Sequence, residues 1–197
     1  MKKIIAVLIG MMLLAAPQMR AQQYNDGPKN DFSVSYGYFT IPQFAVVLGG
    51  VFGAAFTLGH AAPSDILSTG SVKLEYVRKT NYWLWLGGGI SGEIDTLVME
   101  GRDSDGNPTG NHTRSNINTL NAFATVKANW LRREKMAMYT RLSAGVLAAI
   151  GGDETSLAPS VQLSLVGCEF GGLTNRGFVE LGVGMHGILS GGFRHLF

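Results

Sequence analysis

The sequence predicts an all-β chain: an eight-stranded antiparallel barrel whose strands cross a membrane, with one helix in the first extracellular loop. Three observations predict it. Apolar and polar residues alternate with period two along nearly the whole chain beyond residue 31, and only one stretch has helical spacing. The alternating segments number eight, an even count, and each runs for roughly nine to eleven residues or a little more, the length a tilted strand needs to cross a bilayer. Short connections alternate with longer, turn-rich ones, as they do where one membrane face carries tight turns and the other carries loops.

The chain starts with Met1, Lys2 and Lys3, followed by an apolar run from Ile4 to Ala16 and then Met19-Arg20-Ala21. A short positive start, an apolar run too short to span and a small-residue exit read as a secretory leader, residues 1–21, cut after Ala21. Residues 22–30 are then an N-terminal periplasmic tail and 31–197 the barrel. Loss of Lys2, Lys3 and Arg20 leaves 13 Lys and Arg against 14 Asp and Glu, close to neutral. The basic isoelectric point therefore belongs largely to the leader and gives no argument for nucleic acid. Cys168 is the only cysteine, so no intramolecular disulfide holds this exported chain together.

The strands follow in order. Phe32, Val34, Tyr36 and Tyr38 alternate with Ser33, Ser35 and Gly37, and Val72, Leu74 and Tyr76 alternate with Ser71, Lys73 and Glu75. A third segment runs from Tyr82 to Leu97. In the fourth, Leu120, Ala122, Ala124 and Val126 alternate with Asn121, Phe123, Thr125 and Lys127; in the fifth, Met138, Leu142, Ala144 and Val146 alternate with Tyr139, Arg141 and Ser143. Val161, Leu163 and Leu165 mark the sixth, Val179, Leu181 and Val183 the seventh, and Leu189, Phe193 and Phe197 the eighth. Connections near residues 79–81, 131–135 and 171–176 are short; those at 41–70, 97–115 and 150–157 are longer, and Met185-His186-Gly187 leaves little loop between the last two strands.

Alternation alone does not say which face points inward. The polar faces collect Lys73, Glu75, Glu93, Asp95, Lys127, Arg141, Glu180 and Arg194, with equal numbers of each sign. A charge facing lipid near the midplane costs on the order of 2 to 4 kcal/mol, so a membrane barrel points this face inward. Eight strands leave an interior that side chains just fill, and opposite charges there pair into a plug. Glu180 and Arg194, on adjacent strands, are the best candidate pair, with Lys127 and Arg141 facing acids of the second and third strands. A soluble lipocalin is the alternative closed by the same alternation, with its apolar face inside.

Trp83, Trp85, Trp130, Tyr82, Phe170 and Phe197 fall beside the short turns or the C-terminus, and Tyr36 and Tyr38 at the opposite end of the first strand, as two interfacial belts would. Trp83 and Trp85 are in phase with Glu93 and Asp95, so belt positions for them require a bulge near Gly87-Gly88-Gly89. The uncharged stretch from Ile41 to Gly59 departs from period two: Phe44, Val47, Leu48, Val51, Phe52 and Phe56 fall at helical spacing. A spanning helix here would put the second strand on the wrong side of the membrane. The helix is therefore expected in the first outer loop, against the barrel, the leaflet or a partner.

At the C-terminus, Phe193, His195 and Phe197 share one face and Gly192 precedes them. This resembles the C-terminal assembly signal of bacterial outer-membrane β-barrels, departing from it at His195, where that pattern has an apolar residue. The span 31–197 resembles the small eight-stranded outer-membrane barrels that include the OmpA-like membrane domains, without the peptidoglycan-binding domain that some members append. The resemblance implies a Gram-negative outer membrane with both termini in the periplasm, and a monomer. It also implies contact with outer-membrane lipid and lipopolysaccharide, handling by the barrel assembly machinery, and an extracellular ligand that the sequence does not name.

Signals for chemistry are sparse. Asp103, Asp105 and Asn107 begin like a calcium loop, but Pro108 replaces its glycine and Arg114 its bidentate glutamate. His60, His112, His186 and His195 lack ligand spacing, so neither metal nor cofactor is expected. Some small outer-membrane barrels modify lipid A, yet the His-x-Ser of such deacylases is absent, since Gly187 and Ile188 follow His186. The expectation is a non-enzymatic barrel with a structural or surface-interaction role, with a narrow channel or a lipid A-modifying enzyme as alternatives.

Overall fold

The computed structural model describes residues 27–45, 61–102, 107–151 and 154–197. The leader, Asp103, Asp105, His60 and most of the apolar loop segment, including Val47, Leu48, Val51, Phe52 and Phe56, lie outside the described residues. The described chain forms β1 (Asn30–Tyr38), β2 (Ala61–Ser68), β3 (Ser71–Lys79), β4 (Leu84–Arg102), β5 (Pro108–Arg132), β6 (Met136–Gly151), β7 (Glu154–Gly171), β8 (Asn175–Gly184) and β9 (Leu189–Leu196). All belong to one antiparallel sheet in which β1, β3, β4, β5, β6, β7, β8 and β9 close into a ring.

Closure rests on β9 returning to β1, in register from Asp31 opposite Leu196 to Tyr38 opposite Leu189. The Phe197 carbonyl then accepts the backbone N–H groups of Lys29 and Asn30 at 3.0 and 2.8 Å. A closed ring leaves no strand edge unpaired within it.

The ninth strand, β2, falls in the stretch expected as loop. It pairs with the far half of β4, Ala61 opposite Gly101 to Ser68 opposite Asp95, while β3 pairs with the near half, Val72 opposite Gly92 to Lys79 opposite Trp85. Together β2 and β3 act as one long strand broken at Thr69-Gly70. Gly70 has φ of 71°, and a Cβ there would meet the Tyr36 hydroxyl, so the break requires glycine. Of the expected helix, residues 41–45 form a helical turn and the remainder is outside the described residues.

At one end lie both ends of the described chain and the short connections 80–83, 133–135 and 172–174; we call it the terminal end. At the far end, the expected loops 97–115 and 150–157 are instead mostly strand: β4 has 19 residues, β5 25, β6 16 and β7 18. These strands outrun their neighbours, and beyond the ring's rim side chains on both faces of β5 are exposed from Thr109 to Asn116. Nothing there imposes alternation, so the strand is written in Thr, Asn, Ser and Gly and reads as loop. Pro159 is tolerated in β7 because it sits past the last β7–β8 pair, Gln162 opposite Gly184.

The ring is inverted relative to a water-soluble core. Its exterior carries Phe32, Val34, Leu74, Leu120, Leu142 and Leu181, all substantially exposed, while most buried side chains among the described residues are polar or charged. The β3–β4 register runs without a shift past Gly87-Gly88-Gly89, so the expected bulge is absent and Trp85 points inward, 1% exposed. Trp85 is therefore a core residue and not a belt residue. Tyr36, Tyr38, Tyr82, Phe170 and Phe197 are exposed on the outside.

Candidate functional site

The interior is built in layers from the inward-facing position of each strand. Nearest the terminal end, Val77, Trp85 and Leu196 form an apolar cluster. The Arg132 guanidinium and Lys127 Nζ lie over the Trp85 ring, 5.3 and 5.5 Å from its centroid, within reach of its π-system. A void of about 10 Å³ remains beside Trp85, Lys127 and Glu169, room for about one water molecule.

Above this, Lys127 Nζ lies 3.1 Å from Asp31 and 2.7 Å from Glu169. Arg194 Nη1 reaches the same two acids, at 3.1 Å and 2.5 Å, and Arg176 reaches Glu169 at 3.3 Å. In the next layer Arg141 bridges Glu75, at 2.7 Å, and Glu180, while Lys73 lies 3.4 Å from Glu75. Tyr139 joins the two layers: its hydroxyl donates to Glu180 at 2.5 Å and accepts from Arg194 Nη2 at 3.0 Å. Gly167 makes this possible, because a Cβ there would occupy the space of the Tyr139 ring.

All eight charged residues picked out from the sequence, Lys73, Glu75, Glu93, Asp95, Lys127, Arg141, Glu180 and Arg194, are buried within the ring. Their pairing differs from expectation in two respects. Glu180 and Arg194 form an ion pair at 3.9 Å, but the closer partner of Glu180 is Arg141, which also reaches Glu75 of the second strand of the ring as expected. Lys127 does not face the second and third strands of the ring; its acids come from β1 and β7.

Glu93 and Asp95 belong to a separate group at the far mouth. The Thr40 hydroxyl lies 2.8 Å from both Glu93 carboxylate oxygens, and Ser68 donates to Glu93 at 3.1 Å. Thr40 also caps the helical turn, its Oγ1 accepting from the Gln43 N–H at 3.2 Å while the Gln43 side chain accepts from the Thr40 N–H at 3.1 Å. Gln43 Nε2 then donates to Ser68 at 2.9 Å. The start of the first long connection is thus moored in the mouth by hydroxyls and one carboxylate, with Phe44 beside them exposed.

The 185–188 turn tucks into the mouth from the opposite wall. Gln162 accepts the His186 N–H at 2.8 Å and donates to the Gly187 carbonyl at 3.1 Å. The buried His186 ring packs on Phe123, with centroids 4.5 Å apart, and its Nδ1 lies 3.3 Å from Ser91 Oγ. Ser190 is turned to Glu180 instead, at 3.4 Å. His186, Ser91 and Ser190 all sit inside the ring. Among the described residues no three His, Cys, Asp or Glu side chains come together as a metal site.

Four members of the network were not among the sequence candidates. Asp31 and Arg176 are in phase with Ser33 and Glu180, so extending those faces by two or four positions would have reached them, while Tyr139 already lies on the face of Arg141 but carries no charge to single it out. Glu169 was hidden, because a bulge in β7 sets Leu165 and Val166 together opposite Thr140 and both face outward. On the exterior of β9, Phe193, His195 and Phe197 project together; His195 Nδ1 lies 2.7 Å from Asn175 Oδ1, and its ring stacks on Phe197 at 5.7 Å. No protein-family model matches the chain, and no curated protein is detectably similar to it in sequence.

Proposed function

We propose that this chain is an eight-stranded barrel of a Gram-negative outer membrane, with a filled, non-conducting lumen, and that its work is done by what it holds beyond the far rim. The observation that carries this reading is the inversion: ions and hydroxyls inside, Phe, Leu, Val and Tyr outside. In water such an exterior would be an aggregation surface; in a bilayer it is the face required of every strand. A lipocalin would have the opposite arrangement.

The short connections and both ends of the described chain share one end, which in this reading is periplasmic. The outward Phe193, His195 and Phe197, preceded by Gly192, resemble the signal read by the barrel assembly machinery. Lipid and lipopolysaccharide then contact the apolar exterior, and the protein is a monomer with no catalytic role. The far rim, with its long strands, faces the extracellular medium.

The test is single-channel conductance of the chain refolded into a planar bilayer, beside an Arg194→Ala variant, with protease protection as the control for folding. Silence from the parent is expected, because the Arg141 and Arg194 layers occlude the lumen. Steady openings in the parent would overturn the filled lumen and make transport the leading function.

A further inference from the structure

The ring is closed, but the sheet beyond it is not. β5 pairs with β4 as far as Arg102 opposite Pro108, whereas β6 stops at Gly151 opposite Ile117. Residues 109–116 of β5 are therefore held on one side only, with no strand on the other among the described residues. The step is roughly 27 Å long at about 3.4 Å per residue. An unpaired strand edge is a row of backbone donors and acceptors, and the devices that normally blunt one are sparse here: Pro108 stands at the tip, Arg114 is the only fully charged side chain in the stretch, and there is no Lys. His112 and Arg114 are exposed. His112 faces Glu100 across the β4–β5 pair, but Arg114 faces Val98 and makes no ion pair among the described residues.

We infer that this edge accepts an extended segment of another polypeptide as an added strand, with an Asp or Glu of that segment beside Arg114. The occupant follows from what the edge offers. A backbone ladder binds any extended chain, and alternate side chains then supply the choice. Arg114 supplies a cross-strand neighbour for a carboxylate. A second copy is a poorer fit: two copies side by side in one membrane would present this edge in the same direction, in parallel and not antiparallel. The inference rests on the reading above for placing the edge outside the cell and for setting two copies side by side in one membrane.

The experiment uses the full chain in nanodiscs and a phage-displayed library of linear peptides of about twelve residues. Enriched peptides are resynthesised and their dissociation constants measured. The expected hits carry an acidic residue within an alternating Thr, Val or Ile pattern. N-methylation at every second backbone position weakens them at least about tenfold and the intervening positions do little, because alternate N–H groups point to the ladder. Arg114→Glu, which leaves the edge in place, turns the preference to basic peptides. A control chain with 99–113 replaced by Asn-Gly, bringing Val98 and Arg114 into a two-residue hairpin, binds none of them.

Equal binding to that control, or no period-two effect of N-methylation, overturns the inference without touching the barrel reading, which conductance tests separately. Concentration-dependent dimers that disappear in the control would also overturn it, since the edge would then belong to a second copy.

Discussion

Glu180→Gln is the substitution that tests the interior most directly. Glu180 accepts from Arg141, from the Tyr139 hydroxyl at 2.5 Å, from Ser164 at 3.1 Å and from Ser190 at 3.4 Å. The amide keeps the volume, removes the charge, and turns N–H donors towards groups that are themselves donors. Removing one partner of a buried ion pair costs about 3–5 kcal/mol, most of it from stranding the other charge. Here Arg141 keeps Glu75 at 2.7 Å, and Arg194 keeps Asp31 and Glu169, so the loss is set at the lower end, about 3 kcal/mol. That is roughly a hundredfold in the folding equilibrium. Urea titration in phospholipid vesicles, followed by tryptophan fluorescence and gel mobility, should show a lower midpoint with an unchanged slope. Adding Arg141→Met removes the stranded cation, so the double variant should be less destabilised than the sum of the singles by about 1–3 kcal/mol. A loss under about 1 kcal/mol for Glu180→Gln, or additivity within about 0.5 kcal/mol, would refute the reasoning.

Two further outcomes are expected. With Trp83 and Trp130 changed to Phe, the remaining Trp85 should resist quenching by brominated acyl chains, because it lies inside the ring against Lys127 and Arg132; strong quenching would return it to the lipid interface. Leu142→Arg on the exterior should lower stability in vesicles by about 2–4 kcal/mol, and a change near zero in the urea midpoint would count against a lipid-facing position.

The architecture was legible because the ring imposes one rule on every strand inside it. Ser33, Lys73, Lys127, Arg141 and Glu180 must all point to one side, and the alternation reveals them as a set. The partners were less legible, since pairing across a ring depends on height and strand order, which period two does not encode. Lys127 meets Asp31 and Glu169 for that reason. Trp85 was misread because a tryptophan near a turn is normally interfacial, whereas here two cations occupy the lumen around it. The outer strands were invisible because residues 109–116, with water on both faces, carry no alternation to read.

The β7 bulge gives that strand two phases. Before it, Gln162 and Ser164 enter the lumen; after it, Gly167 and Glu169 do. Were the strand to run straight at its present length, plain alternation would turn everything beyond Leu165 by half a turn. Cys168 and Phe170 would then swing inward and Glu169 outward, and Lys127, Arg176 and Arg194 would lose the carboxylate they share. Deleting either Leu165 or Val166, by contrast, removes the extra residue together with the bulge and leaves Gly167 and Glu169 in phase with Gln162 and Ser164, so a one-residue deletion at this point keeps the inward set intact.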